Sequence, residues 1–437
     1  MIIIIGAGIS GLALAWHIQK KGLPYRILES TDRPGGCINT LRQPPYLFEE
    51  GPNSLLLNEK HLQFINELGL DDQLMKAADV NKNRFVYKKG KYRKLPTSPP
   101  ALLFNNFFSW KTKKSIFTEY WRKNSPVNED ESVANFFRRR FTAEIVEYAV
   151  NPFVAGIYAG DPEKLLMSQT FNSLKKAEKK HGSVIKGMMK EKKGTARRNT
   201  YSFVQGISTL TDKLAEQIPV EYSSGLAAIQ RVGEKTIITT TTGEEIVADR
   251  LVLCLPAFVA SDLLKEAWPD AASALGQIQY PPLCCVHTVY KKDQVSHALD
   301  GFGGLNPQIE NQFASGSIWS SSIFADRAAV DEILITSFVG GVPNPAKTEL
   351  SDEEIKSKLT KELSRVYSIS GVPVLQRITR WKKAIPQYDA HMIEAQKQVA
   401  MLELDEVYVC ANWQGGVSVV DCIEKAEKLA ARIDCGC

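Results

Sequence analysis

The chain begins MIIIIGAGISG, and this stretch limits the possible fold more than anything after it. Four consecutive β-branched isoleucines, Ile2 to Ile5, suit a short strand buried on both faces, as in a parallel sheet. Gly6, Gly8 and Gly11 follow with the spacing G-x-G-x-x-G. The first allows a tight turn, the second lets backbone approach a pyrophosphate, and the third lets the next helix pack closely on the strand. Ile9 and Ser10 lie between them, and a helix is expected from Leu12 to Lys20, closed by Gly22. Free N–H groups at its start suit a phosphate. A second strand, YRILE, ends at Glu29 and is followed by Ser30. Glu29 stands eighteen positions after Gly11, where a carboxylate reaches an adenosine ribose and disfavours a 2′-phosphate.

At 437 residues the chain is too long for one ordinary core, and two or three domains are expected. A net charge of +5 creates no demand for nucleic acid; it suits an acidic small molecule or an anionic membrane surface. The eight cysteines contain no C-x-x-C pair, only the adjacent Cys284 and Cys285 and the tail pair Cys435 and Cys437. No zinc pattern or disulfide framework emerges, so a reducing cytoplasm is expected. No secretory leader precedes the opening strand, and no run reaches the roughly 18 apolar residues of a spanning helix. Peripheral attachment to the cytoplasmic face of the membrane stays open.

Further along, ESTDRPGGCINT sets Arg33 before Gly35 and Gly36, a second turn able to approach an anion. FEEGPNS brings Gly51, Pro52, Asn53 and Ser54 as another turn. NRFVYKKGKYRKLP reads as a hairpin around Lys89-Gly90, with Arg84 in its first strand. From Ala101 to Trp121, Phe104, Phe107 and Phe108 have helical spacing and are interrupted by Lys111, Lys113 and Lys114. An interfacial helix and a core face of a helical domain are equal readings of that stretch. The basic run SLKKAEKKHGSVIKGMMKEKKGTARR reads as a solvated face. KTIITTTTGEEIVADRLVLCLPA predicts two strands joined by a Thr-Gly turn, then a buried strand ending at Pro256. VYVCANWQGGVSVVDCIEKAEKLAARI predicts a strand from Val407 to Cys410, a turn at Gly415-Gly416, and a helix from Val417 to Ile433.

Several of these stretches carry a resemblance. DRPGG after the ribose acid resembles the diglycine motif of the flavin amine oxidase superfamily. GPNS, YSFVQGISTL, GFGGLNPQIENQFASGSIWSSSIFADRA, WKKAIPQY and the closing motif resemble the oxygen-dependent protoporphyrinogen IX and coproporphyrinogen III oxidase family, over nearly the whole chain. Two departures stand out: Cys37 where a basic residue often follows the glycines, and Ala411 where many members have glycine.

The resemblance implies an α/β and α+β architecture: a discontinuous Rossmann-like FAD-binding domain (1–60, 206–272 and 395–437), a mixed-sheet substrate domain (61–89 and 273–394) and a helical domain (90–205) that often rests on the membrane. It implies FAD held by Gly6, Gly8, Ile9, Ser10, Gly11, Glu29, Ser30, Arg33, Gly35, Gly36, Gly51, Pro52, Asn53 and Ser54, with Asn412, Gly416, Val417 and Ser418 completing the site and Leu226 and Trp381 near the flavin. Arg84 matches the arginine that pairs with a substrate propionate, Leu305 and Ile318 the aliphatic pair around one pyrrole ring, and Phe338 the aromatic on another. It implies a six-electron porphyrinogen oxidation for heme biosynthesis in three steps, each a hydride from a meso carbon to flavin N5. Oxygen then gives hydrogen peroxide, no strong protein acid or base is required because aromatisation supplies the driving force, and a ferrochelatase is the expected recipient of product. An amine oxidase, a carotenoid desaturase, or a flavin- and porphyrin-binding protein without turnover remain as alternatives, because glycine motifs mark binding alone.

Overall fold

The computed structural model describes residues 1–96, 98–123, 130–191 and 198–434; Cys435, Cys437 and part of the basic run lie outside it. The opening isoleucines form the strand Ile2–Ile5, buried at every position. It sits at the centre of a five-stranded parallel sheet ordered Val220–Glu221, Tyr25–Leu28, Ile2–Ile5, Arg250–Leu253, Val407–Val409. Central position explains the apolar run, because helices cover both faces of such a strand. The first helix is Ile9–Lys20, three residues longer than expected, since Gly8 already takes the extended geometry of an N-cap. The last helix is Val419–Asp434, two residues later than expected: Ser418 Oγ accepts the Asp421 N–H and caps it. These two helices share one apolar cluster with Val252 of the sheet. Strands Lys235–Thr240 and Glu245–Ala248 pair as expected, with Leu226–Val232 beside them. The strand that follows stops at Leu253, and Pro256 caps the helix Ala257–Leu264 instead of ending the strand.

A second, mixed sheet has seven strands ordered Leu375–Trp381, Leu283–Lys291, Glu332–Gly340, Gly316–Ile318, Gly303–Leu305, Phe85–Lys88, Lys91–Lys94. One face packs on the helix Asp352–Tyr367, where Ile355, Leu359 and Leu363 meet Cys284, Val286 and Val339. That helix is fixed at its start by a reciprocal cap between Ser351 and Glu354 and by three acids in its first turn. The expected hairpin is present, turning through Lys89 and Gly90, both at positive φ (53° and 84°). Arg84 lies one residue before the strand Phe85–Lys88, but its carbonyl still accepts the Leu95 N–H at 2.8 Å. The second hairpin strand, inside the segment expected to be helical, belongs to this sheet.

Between Pro99 and Glu191 the described chain is mostly helical. The expected continuous aromatic face is absent. The helix Pro99–Phe104 ends where Asn105 Oδ1 accepts the Phe107 N–H, and a new helix runs Trp110–Glu119. Phe107 and Phe108 are therefore buried while Phe104 is 88% exposed. Lys113 is buried too, bonded to the Leu103 carbonyl and lying over the Trp110 ring. A buried ion network braces this segment: Arg140, 1% exposed, binds Glu119 and Glu178, and Glu119 also accepts the Val184 and Ile185 N–H groups. Among the described residues no helix is long and apolar enough to cross a membrane.

Candidate active site

The first glycine turn has the shape of a dinucleotide cradle. Gly6 sits at φ +102°, and a Cβ there would meet the Cys254 carbonyl at 2.8 Å. A Cβ on Gly11 would stand 1.9 Å from the Gly6 carbonyl, so helix and strand approach as closely as backbone allows. A Cβ on Gly8, by contrast, meets nothing within 4 Å, and no side chain caps the helix. Ile9 and Ser10 form the buried first turn behind this open approach. That combination fits a pyrophosphate at the helix N-terminus.

Two further turns close on the first. Gly35 N–H donates to the Ala7 carbonyl at 2.9 Å, and a Cβ on Gly36 would come within 3.5 Å of Gly8 Cα. Arg33 donates to the carbonyls of Pro34, Gly36 and Ile38, so its guanidinium holds the loop's shape. Glu29, buried, accepts from Ala7 N–H at 2.8 Å and from the Thr31 N–H and hydroxyl, with Ser30 Oγ at 3.3 Å. Its carboxylate thus ties the first turn to the end of the second strand; Oε1 is fully occupied, and Oε2, which accepts only the Ala7 N–H, keeps one lone pair for a sugar hydroxyl. Gly225 packs against Ser30 and sets Leu226 beside this end of the cradle. Gly51 packs on the Cys37 carbonyl, and Pro52, Asn53 and Ser54 continue from it half-buried.

The closing loop is pinned from below. Lys425 donates to the carbonyls of Ala411, Gln414 and Gly416, and Tyr388 hydroxyl donates to the Asn412 carbonyl while accepting the Gly416 N–H. Gly416, at φ +127°, leads through Val417 into the capped last helix at Ser418. Trp381 Nε1 donates to the Glu50 carbonyl at 2.8 Å, joining the second sheet to the GPNS loop. Burial pushes the Glu50 carboxyl up, but hydrogen bonds from Thr379, Arg377 and Asn39 outweigh it and hold the group below the usual range.

The register of the seven-stranded sheet brings the separated substrate candidates together. Phe85 pairs with Gly304, Gly303 with Ile318, and Ile318 with Thr336, so Arg84 continues the row of Ile318. Val86, Leu305, Gly316 and Phe338 form the next row of the same parity. Side chains alternate along a strand, so Arg84, Leu305, Ile318 and Phe338 share one face. Trp381, paired with Leu283 opposite Gly340, has that parity as well. Burial agrees. On Gly303–Leu305 and Gly316–Ile318 the only residue not fully buried is Leu305 or Ile318, and on Glu332–Gly340 it is Phe338. Arg84 is half-buried; its guanidinium lies 4.2 Å over the Phe302 ring and bonds only the Asn81 and Asn83 carbonyls. Among the described residues no carboxylate pairs with it, and burial pulls its pKa below the usual guanidinium range. Phe302, Tyr388 and the buried Glu49 and Arg327 were quoted in the motifs without a role; no spacing rule identifies them, because their partners are distant in sequence.

The model of the family described as flavin containing amine oxidoreductase matches residues 9–434. The chain belongs to this family. It is an oxidoreductase with FAD as its cofactor, and the open approach at Gly8, with the Gly36 turn against it, fits the pyrophosphate of that cofactor. The chloroplastic protoporphyrinogen oxidase of Nicotiana tabacum is 31% identical, over 99% of this chain and 85% of its own. The coproporphyrinogen III oxidase of Bacillus subtilis is 27% identical, over 98% of this chain and 96% of its own. A crystal structure from Exiguobacterium sp. 255-15, provisionally named a protoporphyrinogen oxidase, superposes with a TM-score of 0.82 at 22% identity, covering 99% of this chain and 98% of that one.

Proposed function

We propose that this chain oxidises a porphyrinogen to a porphyrin in heme biosynthesis, with oxygen as terminal acceptor giving hydrogen peroxide, and passes its product to a ferrochelatase. One observation carries the reading: an unpaired, half-buried arginine shares a sheet face with three partly open apolar side chains, Leu305, Ile318 and Phe338. Such a face suits the apolar rings of a puckered macrocycle with an acidic edge. FAD supplies the two-electron acceptor. The protein's own residues orient and enclose: Arg84 takes a propionate, Leu305 and Ile318 hold one ring, Phe338 stacks on another, and Trp381 anchors this sheet to the GPNS loop. Glu29, Ser30, Arg33 and Leu226 serve the adenosine half, and Asn53, Asn412, Gly416, Val417 and Ser418 the flavin half. The nucleotide, substrate and helical domains are taken as 1–60 with 206–272 and 395–437, 61–89 with 273–394, and 90–205.

The helical segment exposes Leu103, Phe104, Trp110, Phe117 and Trp121 beside the exposed Lys111 and Lys114. This pattern supports peripheral docking on an anionic membrane surface. The decisive test is porphyrin fluorescence over time with purified protein, oxygen and either protoporphyrinogen IX or coproporphyrinogen III, against autoxidation. The expected result is a faster rise with one of them and bleaching of the flavin absorbance on anaerobic mixing. No rise from a protein shown to hold FAD refutes the reading.

A further inference from the structure

Two charged residues without an assigned role, Glu49 of FEEGPNS and Arg327 of FADRA, meet in the fold. A small cavity of about 10 Å³ lies between the GPNS loop and the second sheet. Its walls include Asn53 from the loop, Ile318, Ser320 and Thr336 from the sheet side, and the residues Glu49 and Arg327. The volume is about enough for one water, for which Asn53, Ser320, Thr336, Glu49 and Arg327 are the polar residues of a lining otherwise made by Leu47, Ile318, Ile323, Phe324 and Leu334. Glu49 is 6% exposed and Arg327 2%. Glu49 accepts from Thr40 Oγ1 at 2.7 Å and from the Ile207 N–H at 2.9 Å. Arg327 spends its donors on Ser202 Oγ and the Phe203 and Val204 carbonyls, and makes no direct ion pair with Glu49. A buried carboxyl has thus been left with a nearby positive charge but without a salt bridge.

Oxidation of a porphyrinogen removes two hydrogens at each step. One would leave a meso carbon as a hydride, for which bound FAD would be the acceptor; the other would leave a pyrrole nitrogen as a proton that needs an acceptor, and after three such steps a tautomer shift moves the last extra meso hydrogen to nitrogen. We propose that Glu49 is the station that takes this proton, through the cavity beside Ile318, and releases it before the next step. The role rests on the porphyrinogen reading above. Glu49 is a positioning and proton-holding residue in this scheme, acting through the cavity and not by touching substrate.

The surrounding groups leave Glu49 as the one that titrates near neutrality. Burial raises its carboxyl to about 7, against the lowering effects of the Thr40 and Ile207 hydrogen bonds and of the Arg327 and Arg42 charges. His287 Nε2 faces the Glu49 carbonyl, and burial holds its pKa down at about 4, so it is neutral. Cys285 lies against the same carbonyl, and burial pushes its thiol far up, so it is neutral too. Glu50, next in the chain, is held ionised by Thr379, Arg377 and Asn39. Arg327 stays cationic throughout.

The test is the pH profile of kcat in single turnover, with protoporphyrinogen IX and coproporphyrinogen III as probes. In the wild type kcat should rise with pH through the range where Glu49 ionises. Glu49→Gln keeps the volume and the Ile207 N–H bond, with its amide NH2 donating to Thr40 Oγ1 in place of accepting from it; it should lower kcat by about 100-fold, the low end for a positioned proton acceptor, and flatten the profile. Thr40→Val removes a donor to the ionised form and should move the wild-type midpoint to higher pH. A readout independent of turnover accompanies these: the pH dependence of the urea midpoint of the FAD-loaded protein, which should lose its near-neutral inflection in Glu49→Gln. A Glu49→Gln variant with the wild-type kcat and pH profile overturns the role while leaving the porphyrinogen reading intact. A wild type that holds FAD but oxidises neither porphyrinogen overturns both.

Discussion

Arg84 is where the functional reading is most exposed to refutation, and its effect can be bounded from the structure. The guanidinium has no carboxylate partner among the described residues, lies over Phe302, and donates only to the Asn81 and Asn83 carbonyls of its own turn. A propionate would therefore meet a cation that needs no release from another acid. Hydrogen bonds to charged groups are worth about 1.5–3 kcal/mol each, which at room temperature is roughly a 10- to 150-fold change in binding. Arg84→Met keeps an unbranched apolar stem against Phe302 and removes the charge. It should raise KM for the porphyrinogen by that factor while leaving FAD content unchanged, since Arg84 touches none of the glycine turns. Arg84→Lys keeps the charge but loses the planar fork, and should fall between the two. Steady-state KM and anaerobic titration of the flavin absorbance measure this directly. An Arg84→Met protein that retains its flavin and binds porphyrinogen with wild-type affinity would remove the anionic end from this side of the sheet, and the proposed orientation with it.

Gly11→Ala should abolish flavin retention, because its Cβ would sit 1.9 Å from the Gly6 carbonyl; purification with full FAD would contradict the cradle geometry. Arg140→Met leaves the fully buried Glu119 without its ion-pair partner and should cost about 3–5 kcal/mol, read as a lowered thermal midpoint. His287 has a folded-state pKa near 4 against an ordinary 6.5, so the unfolded chain binds a proton that the folded one refuses. Its contribution is present above pH 6.5 and is lost as pH falls through 4, by about 3 kcal/mol at most. His287→Asn should show a correspondingly smaller loss of urea midpoint between neutral pH and pH 4, and an unchanged slope would exclude this histidine as an acid-sensitive element.

The nucleotide half was legible because its determinants are local. Strand, turn, helix and acid occupy Ile2 to Glu29, and each step follows from backbone sterics that a single residue type satisfies. The same holds for the Lys89-Gly90 hairpin. Reading failed where tertiary context overrode spacing. Phe104, Phe107 and Phe108 have helical intervals, but one Asn105 side chain bonding the Phe107 N–H is enough to break the helix and send the rings to opposite environments. Lys113 reads as a surface charge, yet it is buried because the Leu103 carbonyl at the end of the preceding helix accepts its ammonium. The substrate face could be named only by resemblance. Arg84 and Phe338 are more than 250 positions apart, and what unites them is cross-strand register, which no local pattern reports.

One stretch shows why the chain must return to the nucleotide unit so late. WKKAIPQY leaves the second sheet at Trp381, whose indole N–H holds the Glu50 carbonyl next to the GPNS turn. Six residues on, Gln387 donates to the Tyr158 carbonyl at the end of the helical segment. Tyr388 then fixes both limbs of the closing glycine loop, at Asn412 and Gly416, and its ring meets Tyr158 edge-on at 5.6 Å. Eight residues therefore bond to the segment before the GPNS turn, the end of the helical segment and the closing glycine loop. Each bond ends on a backbone carbonyl or N–H, so it fixes loop position irrespective of the side chains that the loop carries. A site whose work is orientation and enclosure, with electrons handled by its cofactor, depends on such positioning more than on any single reactive group.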